Sequence, residues 1–406
     1  MNKVLGIIAE YNPFHNGHLY HIEKSKKLSN TDLTICVMSG NFTQRGEPAI
    51  IDKWSRTKMA LEAGIDLVIE LPLVYSISSA ENFAYGSINI LNKLGIVDAL
   101  SFGSEAGDIN ILNSIADILY NQPKEYVSLL NHELAKGVSY PKAQEKAVLM
   151  YLSDIRKYAN VLSNPNNILG IEYLKAIKKL KSTIFPITIK RDSDHNSTDL
   201  SSENFVSSMA IRKSVNKISK FQDFIPQFSY DILDNQIKHG KIVKNISTFE
   251  KEIIYKLRTM SKEEIMNLPD VTEGLENSII SASNSCNNLL DLISFVKSKR
   301  YTRTRIQRIL LYALLGITKQ DIVNSKKISP YIRILGVNEN GKKILSIISN
   351  SKLNIITSPK QFLEQSGNKI LKNLLLKDIN ATNIYTLGYE YESLSNLDFT
   401  MPIISI

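Results

Sequence analysis

The chain has 406 residues and only two cysteines, Cys36 and Cys286. They lie far apart, inside apolar or helical patterns. That excludes a disulfide framework and any cysteine metal spacing, and it fits a reducing compartment. No metal held by protein ligands is expected. Long apolar runs are also missing: none approaches the roughly 18 residues a membrane span needs. The N-terminus runs straight into a strand pattern, with no leader or cleavage site. A cytoplasmic protein without a membrane partner is expected. No internal repeat and no protein partner is evident. Acidic residues are in deficit, 40 against 49 Lys and Arg, giving a net charge of +9 and a pI near 9.1. A polyanionic partner suits that balance, and nucleic acid is the commonest. A Lys- and Asn-rich composition alone gives the same total, so the distribution matters more. The length allows two or three domains, and 43% hydrophobic content is ordinary for a globular chain.

What is present concentrates near the start. Val4 to Ala9 reads as a buried strand, and Leu19, Ile22 and Leu28 have helical spacing. His15 and His18 therefore sit where a strand turns into a helix. Asn12-Pro13 and Asn16-Gly17 supply loop chemistry. A helix start offers unpaired N–H groups and a positive dipole end, which suits a phosphate. Gly17 has no Cβ to hold that phosphate away. Histidines there can donate to phosphate oxygens and stabilise transition-state charge. The stretch reads as a nucleoside triphosphate site.

A second apolar strand, Leu33 to Met38, makes a parallel β-α-β start. Asp66 to Glu70 and Ala99 to Phe102 are the next strands, with a helix over Ser55 to Gly64. Ligands of such sheets bind beyond the C-terminal strand ends. Arg45 lies in a loop there, and Lys53, Arg56 and Lys58 form either a solvated basic face or a positive wall. Gly103 is either a plain turn glycine or a close-approach point for ribose or adenine. Residues 109–160 read as a helical insertion. Asn166 opens a helix, where an Asn is most often a cap. Thr183 to Lys190 alternates as a strand, with Arg191 at its end. His195 follows in a polar segment, 192–199, that reads as a surface loop or a lid. Ser207-Ser208-Met209-Ala210-Ile211-Arg212 opens another helix, with Arg212 placed as a clamp on a polyphosphate.

After about residue 216 glycines become rare and the spacing turns helical. Ile332 to Val337 and Asn354 to Thr357 are ambiguous and read as possible short strands. Lys297, Lys299, Arg300, Arg303, Arg305 and Arg308 form a basic cluster around Tyr301 with no acidic residue among them. Such clusters bind phosphates without sequence preference, and a tyrosine can stack on an unpaired base. Arg303, Arg305 and Arg308 also lack acidic partners one turn away.

His15-Asn16-Gly17-His18 resembles the H-x-G-H signature of the nucleotidyltransferase superfamily. The longer run Glu10–His18, with Met38-Ser-Gly-Asn-Phe-Thr-Gln-Arg-Gly-Glu-Pro48, resembles the bacterial tRNA(Met) cytidine acetate ligases. Asp66–Pro72, Phe102–Glu105 and Pro165–Gly170 are similar to that family too. Ser207–Arg212 looks like the second signature of that superfamily, though Met209-Ala210 departs from the threonine many members carry there. The resemblance implies an α/β, Rossmann-like nucleotidyltransferase domain with a parallel sheet over 1–215, and a mainly helical, tRNA-binding region over 216–406. It implies catalysis by His15, His18 and Arg212. It implies ATP contacts from Ile8, Ala9, Glu10, Tyr11, Asn12, Pro13, Phe14, His15, Asn16, Gly17, His18, Leu19, Tyr20 and His21, and from Gly103, Asn166 and Arg191. The substrates would be ATP with Mg²⁺, acetate and elongator tRNA(Met), and the product N4-acetylcytidine at the wobble position. Two rival readings are a small-molecule adenylyltransferase and a non-catalytic RNA-binding protein.

Overall fold

The computed structural model describes residues 3–191, 207–215, 221–298, 300–349 and 353–406. The described residues form ten strands: β1 Val4–Ala9, β2 Leu33–Ser39, β3 Phe42–Thr43, β4 Glu47–Pro48, β5 Leu67–Leu71, β6 Ala99–Ser104, β7 Phe185–Lys190, β8 Tyr331–Val337, β9 Asn354–Ile356 and β10 Ile404–Ser405. The main sheet runs β10-β8-β5-β2-β1-β6-β7, with β9 beside β8. From β5 to β7 every pairing is parallel, and β1 aligns Val4 with Leu33 and Ala9 with Met38. Strand β2 is buried along its whole length, as a central parallel strand is. Alternate residues feed two apolar layers. Ile35, Val37 and Ile69 face one, while Leu5, Ile7, Cys36 and Val68 face the other.

The connecting helices have the ends their sequences ask for. Asp52 caps Lys53–Glu62 by accepting from the Ser55 amide at 2.8 Å. Gly95 closes Ala80–Leu94 in the left-handed region, at φ +70°. The insertion is four helices, Ile109–Asn121, Lys124–Ala135, Tyr140–Leu152 and Ile155–Tyr158. The part after residue 220 is mostly helical, yet β8 pairs antiparallel to β5 with Leu67 opposite Val337. Its helices join the first apolar layer through Phe249, Ile253, Leu311 and Tyr385. Among the described residues no helix is long and apolar enough to cross a membrane.

Candidate active site

The C-terminal ends of β1, β2 and β6 meet on one edge, and the helix Asn16–Ser29 starts there. His15 is its N-cap, almost fully buried at 3% exposure. Its Nδ1 accepts from the Gly17 amide at 3.1 Å, and His18 Nδ1 accepts from the His15 amide at 3.2 Å. This is a capping box made of two imidazoles. The rings stack, with centroids 3.8 Å apart and planes 26° from parallel. Because each Nδ1 accepts, the proton of each neutral ring sits on Nε2. Tyr11 meets His18 edgewise at 5.0 Å, and Phe14 packs against it at a tilt, 5.4 Å away. Tyr11 takes a left-handed backbone, φ +45°, and burial pushes its phenol well above the usual range.

The loop before this helix is held from several sides. The Asn12 side chain accepts from the Ile50 amide at 2.8 Å, and the Asn12–Pro13 bond is cis. Arg212 Nη1 donates to the Asn12 carbonyl at 2.6 Å. Arg212 rides on the helix Ser208–Lys213, which Ser207 caps by accepting from the Ala210 amide at 3.2 Å. The Glu10 carboxylate accepts from the Gln44 amide at 2.7 Å. Ser229 donates to the Phe14 carbonyl at 2.9 Å, and Asn16 donates to the Asp223 carbonyl at 2.9 Å. So residues beyond 220 brace the loop as well.

Across the strand ends, the Arg191 side chain lies over Gly103. A Cβ at residue 103 would meet Arg191 Cγ and Cδ at 3.1 Å. Arg191 Nε is buried without a hydrogen-bond partner among the described residues. Asn166 and Asn167 open the helix Pro165–Lys179, where Glu105 accepts from both amides and from Asn166 Nδ2. His21 shares a hydrogen bond with the Ser101 hydroxyl at 3.1 Å. Burial, and then the Arg191 cation, push it down to about 4. Leu19 and Tyr20 follow on the first turns; the Tyr20 hydroxyl accepts from Lys24 at 2.6 Å. Ile8 and Ala9 end β1 at the site edge. His15, His18, Arg212, Gly103, Asn166 and Arg191 therefore all lie on one rim. His195 and the segment 192–199 lie outside the described residues.

Of the three helix cations that could form a solvated face or a positive wall, two are instead buried within the protein. Lys53 and Arg56 have no exposed surface, whereas Lys58 stays exposed. Arg56 donates to the carbonyls of Glu10, Ser39, Gly40 and Ile51, tying the ends of β1 and β2 together. Lys53 Nζ pairs with Glu70 at 2.8 Å and Asp398 at 2.6 Å, and Arg333 pairs with the same two carboxylates. Burial, with Glu70 close by, pushes the neighbouring Asp378 up to about 7. A helix-face reading misses these residues because most of their partners lie off the helix: the Glu70 and Asp398 carboxylates for Lys53, and the Glu10, Ser39 and Gly40 carbonyls for Arg56.

The basic cluster also changes. Arg308 is buried against Asp270 at 3.2 Å, and Arg305 donates to the Asp270 carbonyl at 2.7 Å. Arg300 pairs with Glu273 at 2.7 Å. The absence of acidic residues one turn away was real, but the partners sit on a neighbouring loop. Lys297 and Arg303 remain exposed, and Lys299 lies outside the described residues. Gly46, at φ +77°, brings the β3-β4 turn onto this helix; a Cβ there would lie 2.6 Å from the Arg308 amide nitrogen.

The donors on the rim are a helix start, two imidazoles and two guanidinium groups. That set suits an anion such as a triphosphate. Among the described residues no group of three His, Cys, Asp or Glu is placed to hold a metal.

Residues 1–398 match the HIGH nucleotidyl transferase family. The tRNA(Met) cytidine acetate ligase of Thermoanaerobacter sp. (strain X514) is 47% identical, over 99% of this chain and 100% of the relative. That of Caldanaerobacter subterraneus subsp. tengcongensis is 45% identical over the whole of both chains. Crystal structures of Thermotoga maritima TmcAL, 36% identical, superpose with TM-scores of 0.93 for the apo protein and 0.89 for the protein bound with alpha-thio ATP. Each covers 100% of this chain and 99% of the other. The chain belongs to the HIGH nucleotidyl transferase family and, within it, to the tRNA(Met) cytidine acetate ligases.

Proposed function

We propose that the enzyme activates acetate with ATP and acetylates N4 of the wobble cytidine, C34, of elongator tRNA(Met). An acetate oxygen attacks the α-phosphorus, the bond to the bridging oxygen breaks, and pyrophosphate leaves. The cytidine amine then attacks the acetyl carbonyl, loses its proton, and releases AMP. The stacked His15–His18 pair at the helix start carries this reading. In it, the Nε2–H groups donate to α-phosphate oxygens as negative charge builds up. Arg212, fixed beside the same loop, takes the departing phosphates. Gly103, Asn166 and Arg191 take the nucleoside side of ATP, with the stretch Ile8–His21 around the phosphates. Mg²⁺ fits only as the partner of the triphosphate, since the carboxylates near the rim, Glu10 and Glu105, already accept hydrogen bonds from the chain; it would neutralise charge on the phosphates, held by their oxygens and water. Residues 1–215 carry the ATP chemistry and 216–406 the tRNA, in the cytoplasm.

The test supplies purified protein with ATP, Mg²⁺, labelled acetate and elongator tRNA(Met) transcript, and digests the RNA to nucleosides. N4-acetylcytidine from position 34 is expected. Label remaining in acetate, with AMP joined to some phosphorylated metabolite instead, contradicts the reading.

A further inference from the structure

Away from the ATP rim, an open groove of about 420 Å³ is lined by Lys251, Tyr255, Lys256, Leu314, Ile384 and Leu387. Glu252 adds a carboxylate to its edge. The groove exposes apolar surface: Tyr255 is 69% and Leu387 53% exposed. Its floor packs against the segment Phe42–Ala49. Ile384 and Leu387 flank Tyr385, whose hydroxyl donates to the Ala49 carbonyl at 2.8 Å. The Tyr385 ring meets Phe42 at 5.9 Å, and Phe249, just before the helix Glu250–Thr259, meets Phe42 at 6.0 Å. Leu314 lies on the helix Arg303–Leu315, whose first residue ends the basic turn. The two are about 17 Å apart along the axis.

We propose that this groove docks an unpaired nucleotide of the RNA substrate, an inference that rests on the RNA part of the function above. Every base offers a π-face, so stacking on an exposed tyrosine needs no particular sequence. Unpaired loop bases are the parts of an RNA free to splay out in this way. Lys251 and Lys256 bracket Tyr255 on the same helix and match the phosphates flanking such a base. A chain of net charge +9 favours that occupant over a peptide.

The experiment compares Tyr255→Ala, Tyr255→Phe and the double variant Lys251→Ala/Lys256→Ala with the wild-type protein. Binding of a fluorescent elongator tRNA(Met) transcript is read by anisotropy over a salt series. Acetate-dependent ATP–pyrophosphate exchange, run without RNA, reports on the ATP site and the fold. Tyr255→Ala is expected to weaken RNA binding about 5- to 100-fold while Tyr255→Phe binds as wild type. The double variant should lower the salt slope by about 1.4. Wild-type affinity in Tyr255→Ala, or an unchanged slope in the double variant, overturns the proposal and leaves the groove to a protein partner. The two readings fail separately. Exchange with no Tyr255 effect removes the groove alone. A Tyr255-dependent affinity with no acetate-dependent exchange removes the ligase chemistry alone.

Discussion

Replacing His21 by Gln should remove a pH dependence from the folding free energy. In the native protein burial and the Arg191 cation hold this imidazole near 4, below its usual 6.5. The unfolded chain therefore binds a proton that the native state refuses between those values. The neutral ring contributes full stability above about pH 6.5, and that contribution is lost as pH falls toward 4. At pH 5 a shift from 6.5 to 4 costs about 2 kcal/mol relative to pH 7, at about 1.4 kcal/mol per tenfold. The ring is only half-buried, so this is the upper figure. Glutamine keeps a polar end for the Ser101 hydroxyl and cannot titrate. Urea unfolding of both proteins at pH 7 and pH 5 isolates the difference, because the carboxylates titrate alike in each. The wild type should lose about 1–2 kcal/mol more than His21→Gln. Equal losses would show that His21 titrates normally and that the packing argument around Ser101 and Arg191 is wrong.

Other substitutions probe the frame. Arg212→Ala should lower kcat/KM for ATP in pyrophosphate exchange about 10- to 100-fold, the worth of one charged hydrogen-bonding group, with Arg212→Lys recovering only part. Lys53→Met should cost about 3–5 kcal/mol in urea unfolding, because Glu70 and Asp398 then face Arg333 alone. Gly46→Ala should cost about 2 kcal/mol or more, read as a lowered urea midpoint, since φ is +77° and the Cβ meets the Arg308 backbone.

The parts of the site made by neighbours in sequence were legible without a structure. A buried strand, a turn with Pro13 and Gly17, and two histidines at a strand-to-helix turn follow from local chemistry, and the helix begins at Asn16 as its pattern implies; that the two imidazoles cap that helix was not legible. Parts made by distant residues were not. Arg56 reads as one more cation on a helix until the carbonyls of Glu10, Ser39 and Gly40 converge on it. Arg305 and Arg308 read as unpaired because the i±4 rule sees only their own helix, while Asp270 approaches from a loop. Ile332–Val337 was legible as a possible strand. Its pairing with Leu67–Leu71 depends on a register more than 260 residues away in sequence, which no local pattern encodes.

The most direct measurement is formation of acetyl-AMP from ATP, Mg²⁺ and acetate, without tRNA, in the wild type and in His18→Ala. Acetate-dependent acetyl-AMP in the wild type, reduced at least about 100-fold in the variant, is the expected result. Undiminished acetyl-AMP in His18→Ala would contradict the role given to the stacked histidines, and none in the wild type would contradict the acetate chemistry itself.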